Sequence, residues 1–202
     1  MKCSVQGPFV LVHNRAVSEQ LFSTTFDIQD DDWSQIYTLP FKCTAEAKMR
    51  VFQFKLIHNI LYTNHRLFKM KVVDSETCTF CHSKLETPVH LFYDCDVIYN
   101  LRRELICKIG KSFNVKFEDF SKKRMIFGFI MDWKGPHKSL LNHLVLMFKR
   151  YVYIEKCKNT QPHLKGLISF ISNTKLIELN IAKLKNIEGL HYKKWTPVEK
   201  LF

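Results

Sequence analysis

Cys78-Thr-Phe-Cys81, with His90 and Cys95 behind it, sets four soft or borderline metal donors within 18 residues, in the order Cys78-x2-Cys81-x8-His90-x4-Cys95. Zinc favours thiolate and imidazole donors in a tetrahedron, and a Cys-x2-Cys pair offers two sulfurs from one tight turn at about 2.3 Å from a common ion. Glu86-Thr87-Pro88 is a helix-start signal, with Thr87 as N-cap and Pro88 in the first helical position, which presents His90 and leaves Cys95 just beyond that turn. Three thiolates and one imidazole fill the shell, so the spacing predicts one structural Zn2+ with no open position for a catalytic water. His82 is an alternative nitrogen donor, but its adjacency to Cys81 makes tetrahedral closure awkward. Cys3, Cys43, Cys107 and Cys157 are expected to be packing thiols.

Outward from this stretch the chain is patterned for helices. On the N-terminal side Thr44 is placed to cap a helix from about Ala45 to Tyr62, with Met49, Phe52, Leu56 and Ile60 and their partners Val51, Ile57 and Leu61 at three- and four-residue steps. Thr63 restarts the chain as the N-cap of a short second helix, and a brief helix is expected over Trp33 to Tyr37. From Val72 to about Cys81, β-branched residues and Asp74-Ser75 predict an extended segment leading into a hairpin. After Asp96 a helix runs through Ile98, Leu101, Leu105 and Ile109 to Gly110, a residue suited to a left-handed C-cap. Met125 to Ile130 is either a buried strand or a helix turn. Ser139 caps a helix to about Cys157 with Lys149, Arg150 and Lys156 outward, and a last long helix spans Pro162 to Asn186. The fold class expected is mainly α: a helical domain with a small zinc-stapled β-hairpin and a C-terminal helical extension. Its parts are a lead-in segment at 1–43, a helical zinc-binding domain at 44–110 and a basic helical extension at 111–202.

The 202 residues carry 31 Lys+Arg against 19 Asp+Glu, a net charge of +12, which favours a polyanionic partner. Residues 97–202 hold 21 basic against 8 acidic side chains, whereas 78–96 hold 1 against 3. The excess therefore lies on the helices beyond the zinc ligands. Seven Cys without a charged n-region and apolar run do not form a secretory disulfide framework, and no run reaches the length of a membrane span. An intracellular protein, nuclear or cytoplasmic and without a membrane partner, is the expectation. Asp30-Asp31-Asp32 is expected to be a solvated acidic turn and not a divalent-metal site. No nucleophile–base spacing and no Gly-rich phosphate loop is present, so the chain is not expected to be an enzyme.

The residues around the ligands resemble a known family. Phe54-Lys-Leu-Ile-His-Asn-Ile-Leu-Tyr-Thr63-Asn64, Cys78-Thr-Phe-Cys81 and Glu86-Thr87-Pro-Val-His90-Leu-Phe-Tyr-Asp-Cys95 are similar to the zinc-binding segment that follows the reverse transcriptase of LINE-type, non-long-terminal-repeat retrotransposons. Trp33-x2-Ile36-Tyr37-x-Leu39-Pro40 looks like the start of that segment. Phe127-Gly128, Leu141-Asn142-His143, Lys149-Arg150-Tyr151 and Lys194-Trp195 look like the family's C-terminal tail. The resemblance implies binding of RNA or target DNA during target-primed reverse transcription, next to an upstream polymerase domain. Tyr93-Asp94-Cys95-Asp96 only superficially suggests the polymerase's metal-binding turn, because the palm sequence around it is absent. The eight-residue Cys-to-His gap also departs from the retroviral nucleocapsid knuckle, so that knuckle's contacts do not carry over.

The function expected is a zinc-stabilised nucleic-acid-binding module, with a zinc-stapled scaffold that docks a polymerase or other protein as the alternative. Its candidate contacts are Lys48, Arg50, Lys55, Arg102, Arg103, Lys108, Lys122, Lys123, Arg124, Lys149 and Arg150, with Phe80 and Trp195 as rings that could stack on unpaired bases.

Overall fold

The computed structural model describes residues 22, 25–130, 135, 137–199 and 201. Cys3 and the Met1–Val12 stretch lie outside them. The helices are α1 (Asp30–Cys43), α2 (Ala47–Ile57), α3 (Asn64–Lys69), α4 (Asp96–Phe113), α5 (Lys122–Phe127), α6 (Lys138–Lys158), α7 (Leu164–Leu184) and α8 (Glu188–Trp195). A π-helical turn over His90–Asp94 precedes α4, and 3-10 turns occupy Phe117–Asp119 and Thr196–Val198. No strand forms among the described residues. The expected hairpin is reduced to one antiparallel bridge between Thr77 and Leu85, because beyond it the Glu86 carboxylate, not a partner strand, takes the Thr79 N–H at 2.7 Å.

The helix at the centre is α6, which packs against α1, α2, α7 and the π-helical turn. Residues 140–149 are buried without a break, as expected of a helix surrounded on all sides. One apolar cluster reaches from Phe22 to Val198, so the core continues across both expected domain boundaries. Trp33, Ile36, Pro40 and Cys43 recur at three- and four-residue steps and bury one face of α1. That stripe carries the helix past Tyr37 and through Pro40, at the cost of the one backbone bond that proline cannot donate. The three aspartates form the first turn of α1, where the helix dipole favours negative charge. Asp32 also receives Lys123 Nζ at 3.4 Å.

Several helix ends differ from expectation. α2 starts at Ala47, and the Thr44 hydroxyl accepts the Glu46 N–H at 3.1 Å while donating to Glu178 at 2.8 Å. α4 runs through Gly110 and ends where Asn114 takes the left-handed conformation at φ 50°. α6 starts after His137, while Ser139 donates to the Lys42 carbonyl at 2.9 Å. Met125–Phe127 belong to α5, and Gly128 then turns the chain at φ +93°. A Cβ at Gly128 would run into Leu39 Cδ2 and lie 2.7 Å from Asn142 Oδ1. Asn142 uses that close approach to bond both the N–H and the C=O of buried Phe129, at 2.7 and 3.1 Å. α8 has no counterpart in the sequence reading.

A buried ionic network fastens the last helices to α1. Glu178 on α7 accepts from Thr44 Oγ1 at 2.8 Å, Lys194 Nζ at 2.7 Å and Trp195 Nε1 at 3.2 Å. Lys194 also donates to the Cys43 carbonyl at 2.7 Å and to His143 Nδ1 at 3.0 Å. Burial, reinforced by Lys194, pushes the His143 imidazole down to about 3, against the opposing pull of Glu178. His143 is thus a neutral acceptor. Burial pushes the Glu178 carboxyl up, but the Lys194 ammonium and the hydrogen bonds from Lys194 and Thr44 more than reverse this, leaving it below the usual carboxylate range.

Lys149 faces inward, contrary to expectation, because α6 has no outer face at that level. Its ammonium donates to Gln53 Oε1 at 2.8 Å and the Ile126 carbonyl at 2.7 Å. Burial pushes it down to about 7, opposed by nearby Cys43. The unfolded chain keeps this proton up to about pH 10.4, so between the two values the folded state binds fewer protons and stability rises with pH. The Cys43 thiol, pushed up to about 12 by burial, reverses that trend once unfolded thiols ionise near pH 8.5 to 9. Urea melts should therefore show a gain of about 2 kcal/mol between pH 7 and 9. Lys149→Met should lose this gain and show only the slight fall toward pH 9 that Cys43 causes, and an equal gain in that variant would assign the effect elsewhere.

Candidate metal centre and basic surface

Cys78, Cys81, His90 and Cys95 each bring one donor atom into a group whose members all lie within 4.8 Å of one another. Two local devices produce that convergence. Cys78 and Cys81 sit on a turn closed by the His82 N–H on the Cys78 carbonyl at 2.9 Å, with His82 itself left-handed at φ 52°. His82 therefore serves the turn, and the cluster takes its nitrogen from His90. On the other side Pro88 opens the helical segment and the Thr87 hydroxyl accepts the His90 N–H at 3.1 Å, as the sequence predicts. The segment then widens into the π-helical turn, closed by the Cys95 N–H on the His90 carbonyl at 3.0 Å. An i→i+5 closure brings residues five apart over one another, which is what the His-x4-Cys spacing requires.

Two of the donor separations lie close to the edges of a zinc tetrahedron. Cys78 Sγ lies 3.9 Å from Cys95 Sγ and Cys81 Sγ lies 3.3 Å from His90 Nε2. Zn–S and Zn–N bonds of about 2.3 and 2.0 Å give tetrahedral edges of about 3.8 Å for S···S and about 3.5 Å for S···N. The sulfurs also receive the donors that thiolates need: the Phe80 N–H on Cys78 and the Ser83 hydroxyl on Cys81, both at 3.4 Å. The hydrogen bond shared by Cys78 and Cys95, followed by burial, raises the Cys78 thiol, and the same bond lowers that of Cys95 despite burial. The three thiols and His90 can thus hold one zinc ion, which would supply the crosslink that the absent strand ladder does not.

Glu86 is the residue that the ligand pattern missed. Fully buried, it accepts from the Asn64 N–H, the Thr79 N–H and the Thr79 hydroxyl, each at 2.7 Å, and faces Lys156 Nζ at 3.5 Å. One carboxylate thus caps α3, orders the Cys78–Cys81 turn and ties both to α6. The signal was its place just before the Thr87-Pro88 cap, but sequence alone does not reveal what it receives. Lys156 also donates to the Tyr62 carbonyl at 3.1 Å, and Gln161 Nε2 reaches the Phe80 carbonyl at 3.2 Å. Lys156 is consequently buried, not outward.

The candidate nucleic-acid residues divide by burial. Four are inside the fold, which corrects their assignment to the surface: Arg102 and Lys149 are 2% exposed, Trp195 is 1% and Phe80 is 3%. Arg102 stacks over Tyr93 at 3.9 Å and donates to its carbonyl at 3.0 Å, Trp195 binds Glu178, and Phe80 anchors the metal-binding turn. Lys122 and Arg124 reach carboxylates, at Asp94 (2.8 Å) and Asp119 (3.9 Å), as Lys123 does at Asp32. Lys48, Lys55 and Arg103 are exposed, and Arg50, Lys108 and Arg150 are half-buried. Of the expected packing thiols, Cys43 is buried but Cys107 and Cys157 are exposed. Among the described residues no helix is long and apolar enough to cross a membrane.

A family model described as zinc-binding in reverse transcriptase matches residues 17–101, a span that contains all four donors and ends within α4. No curated protein and no solved structure matches the chain.

Proposed function

We propose that the chain is a zinc-stapled nucleic-acid-binding module of the LINE-type, non-long-terminal-repeat retrotransposon kind. It holds RNA or target DNA on basic helices in the nucleus or cytoplasm, beside a reverse transcriptase polymerase domain, and has no polymerase activity of its own. The observation that carries this reading is the joint at Cys95, which belongs to the metal cluster and is also the N-cap of α4. The metal thereby sets the direction of a helix whose inner face is apolar and whose outer side carries Arg103, Lys108 and Lys111, with Glu104 among them. At 1.5 Å per residue these cations lie about 12 to 24 Å along the axis from Cys95, a track long enough for several phosphates. With the +12 net charge behind it, such a track binds by charge and strand shape, not by reading duplex base edges.

The test is fluorescence anisotropy with one single-stranded sequence, made as RNA and as DNA, between about 50 and 200 mM salt. Each phosphate contact contributes about 0.7 to the slope of log K against log salt, so replacing Arg103, Lys108 and Lys111 by Ala should flatten it by about 2. Affinity that ignores both salt and the triple substitution would overturn the proposal.

A further inference from the structure

The cleft between α1 and α2 has an apolar lining that neither the metal centre nor phosphate contact uses. It encloses about 350 Å³, with Tyr37, Pro40 and Phe41 on one wall and Val51 and Phe54 on the other. Phe41 is 65% exposed and Val51 is 51% exposed, although the opposite faces of both helices are buried in the core. Arg50, the charged residue of the lining, is held in place. Its Nε and Nη2 donate to the Thr44 carbonyl at 2.9 and 2.6 Å, and its guanidinium lies 4.9 Å over the Phe41 ring. The cleft is therefore formed before anything binds. Phe41 and Arg50 also border a second depression, of about 430 Å³, whose rim holds Lys42, Lys185 and Lys194. Its one carboxylate, Glu178, is already taken by Lys194 and Thr44.

We propose that this cleft docks an acidic amphipathic segment of another protein. A large apolar side chain of the segment enters between Phe41, Val51 and Phe54, and its flanking Asp and Glu residues meet the exposed Lys42 and Lys185 of the adjoining rim. An apolar anchor in a preformed pocket with charge around it is the usual anatomy of a helix or peptide in a groove. A nucleobase fits this lining poorly. Its polar edge would be buried in a mostly apolar lining whose side-chain donors are the Tyr37 hydroxyl and a guanidinium committed to Thr44, and unpaired polar groups are costly to bury. Charge also disfavours a second copy of this chain, at +12, and its own residues 1–21, which carry two basic side chains against one acidic.

The experiment uses the full zinc-loaded chain and three dye-labelled peptides. The first has Leu and Phe at helical three- and four-residue steps with Asp and Glu elsewhere, the second replaces its acids by Lys, and the third replaces its apolar residues by Ser. The first peptide should bind at least about tenfold more tightly than the others, and Val51→Asp should cost it about tenfold or more. Val51 is half exposed, so that variant should keep its melting temperature and its affinity for single-stranded nucleic acid. Equal binding of all three peptides, or no binding of the first, would overturn the proposal. So would an oligonucleotide that competes for the cleft and weakens in Val51→Asp, or a wild-type dimer that Val51→Asp dissociates.

Discussion

Chelating the zinc should destabilise the whole fold, not merely loosen one turn. Cys78 and Cys95 are completely buried and belong to the same apolar cluster as Leu91, Phe92 and Phe80. Without the ion, the segment between Thr77 and Leu85 has one antiparallel bridge, the His82–Cys78 backbone bond of its turn and a few side-chain bonds to hold it. Structural zinc in small domains contributes roughly 10 to 16 kcal/mol, while whole domains are stable by only about 5 to 15 kcal/mol. Loss of several kcal/mol is expected, a fall in melting temperature of about 10 to 20 °C at this size. Cys78→Ser should reproduce the fall and lose the metal. Cys107→Ser, at an exposed position on α4 outside the cluster, should do neither. Calorimetry with metal analysis on the same samples gives both readings, and a chelated chain that melts within about 2 °C of the loaded one would refute the staple.

Glu178→Ala should be the most damaging single change outside the metal centre. It deletes the acceptor of Thr44 Oγ1, Lys194 Nζ and Trp195 Nε1 at once. It also leaves the Lys194 ammonium next to a His143 imidazole that burial keeps neutral. Removing one partner of a buried pair typically costs about 3 to 5 kcal/mol, because the other charge stays behind uncompensated. Replacing both members, Glu178→Leu with Lys194→Met, should restore part of that loss. Urea denaturation of the two variants measures the difference. A cost below about 1 kcal/mol for Glu178→Ala would mean that the network contributes little to stability.

What the sequence disclosed follows from how local each signal is. The four donors, the Thr87-Pro88 start and the apolar stripe of Met49, Phe52 and Leu56 are set by neighbours within a few residues, and they stand where the spacing placed them. Lys149 was misplaced because a helical pattern gives an outer face only to a helix at the surface, and α6 is enclosed by α1, α2, α7 and the π-helical turn. Arg102 and Trp195 were misplaced for a related reason. Their long side chains find Tyr93 and Glu178, partners that only the tertiary fold supplies. Glu86 was overlooked since its three partner residues, Thr79, Asn64 and Lys156, lie 7, 22 and 70 residues away with no spacing rule to connect them. The excess charge of residues 97–202 is real, but part of it holds the protein together: Lys149, Lys156 and Lys194 are structural cations.

The central claim, that Cys78, Cys81, His90 and Cys95 hold one zinc ion as the fold's crosslink, is tested most directly by X-ray absorption at the zinc edge on the purified chain, with metal per chain measured alongside. The expected result is one zinc per chain, bound by three sulfurs at about 2.3 Å and one nitrogen at about 2.0 Å. Substoichiometric zinc, or a spectrum showing two sulfurs with oxygen in the shell, would contradict it.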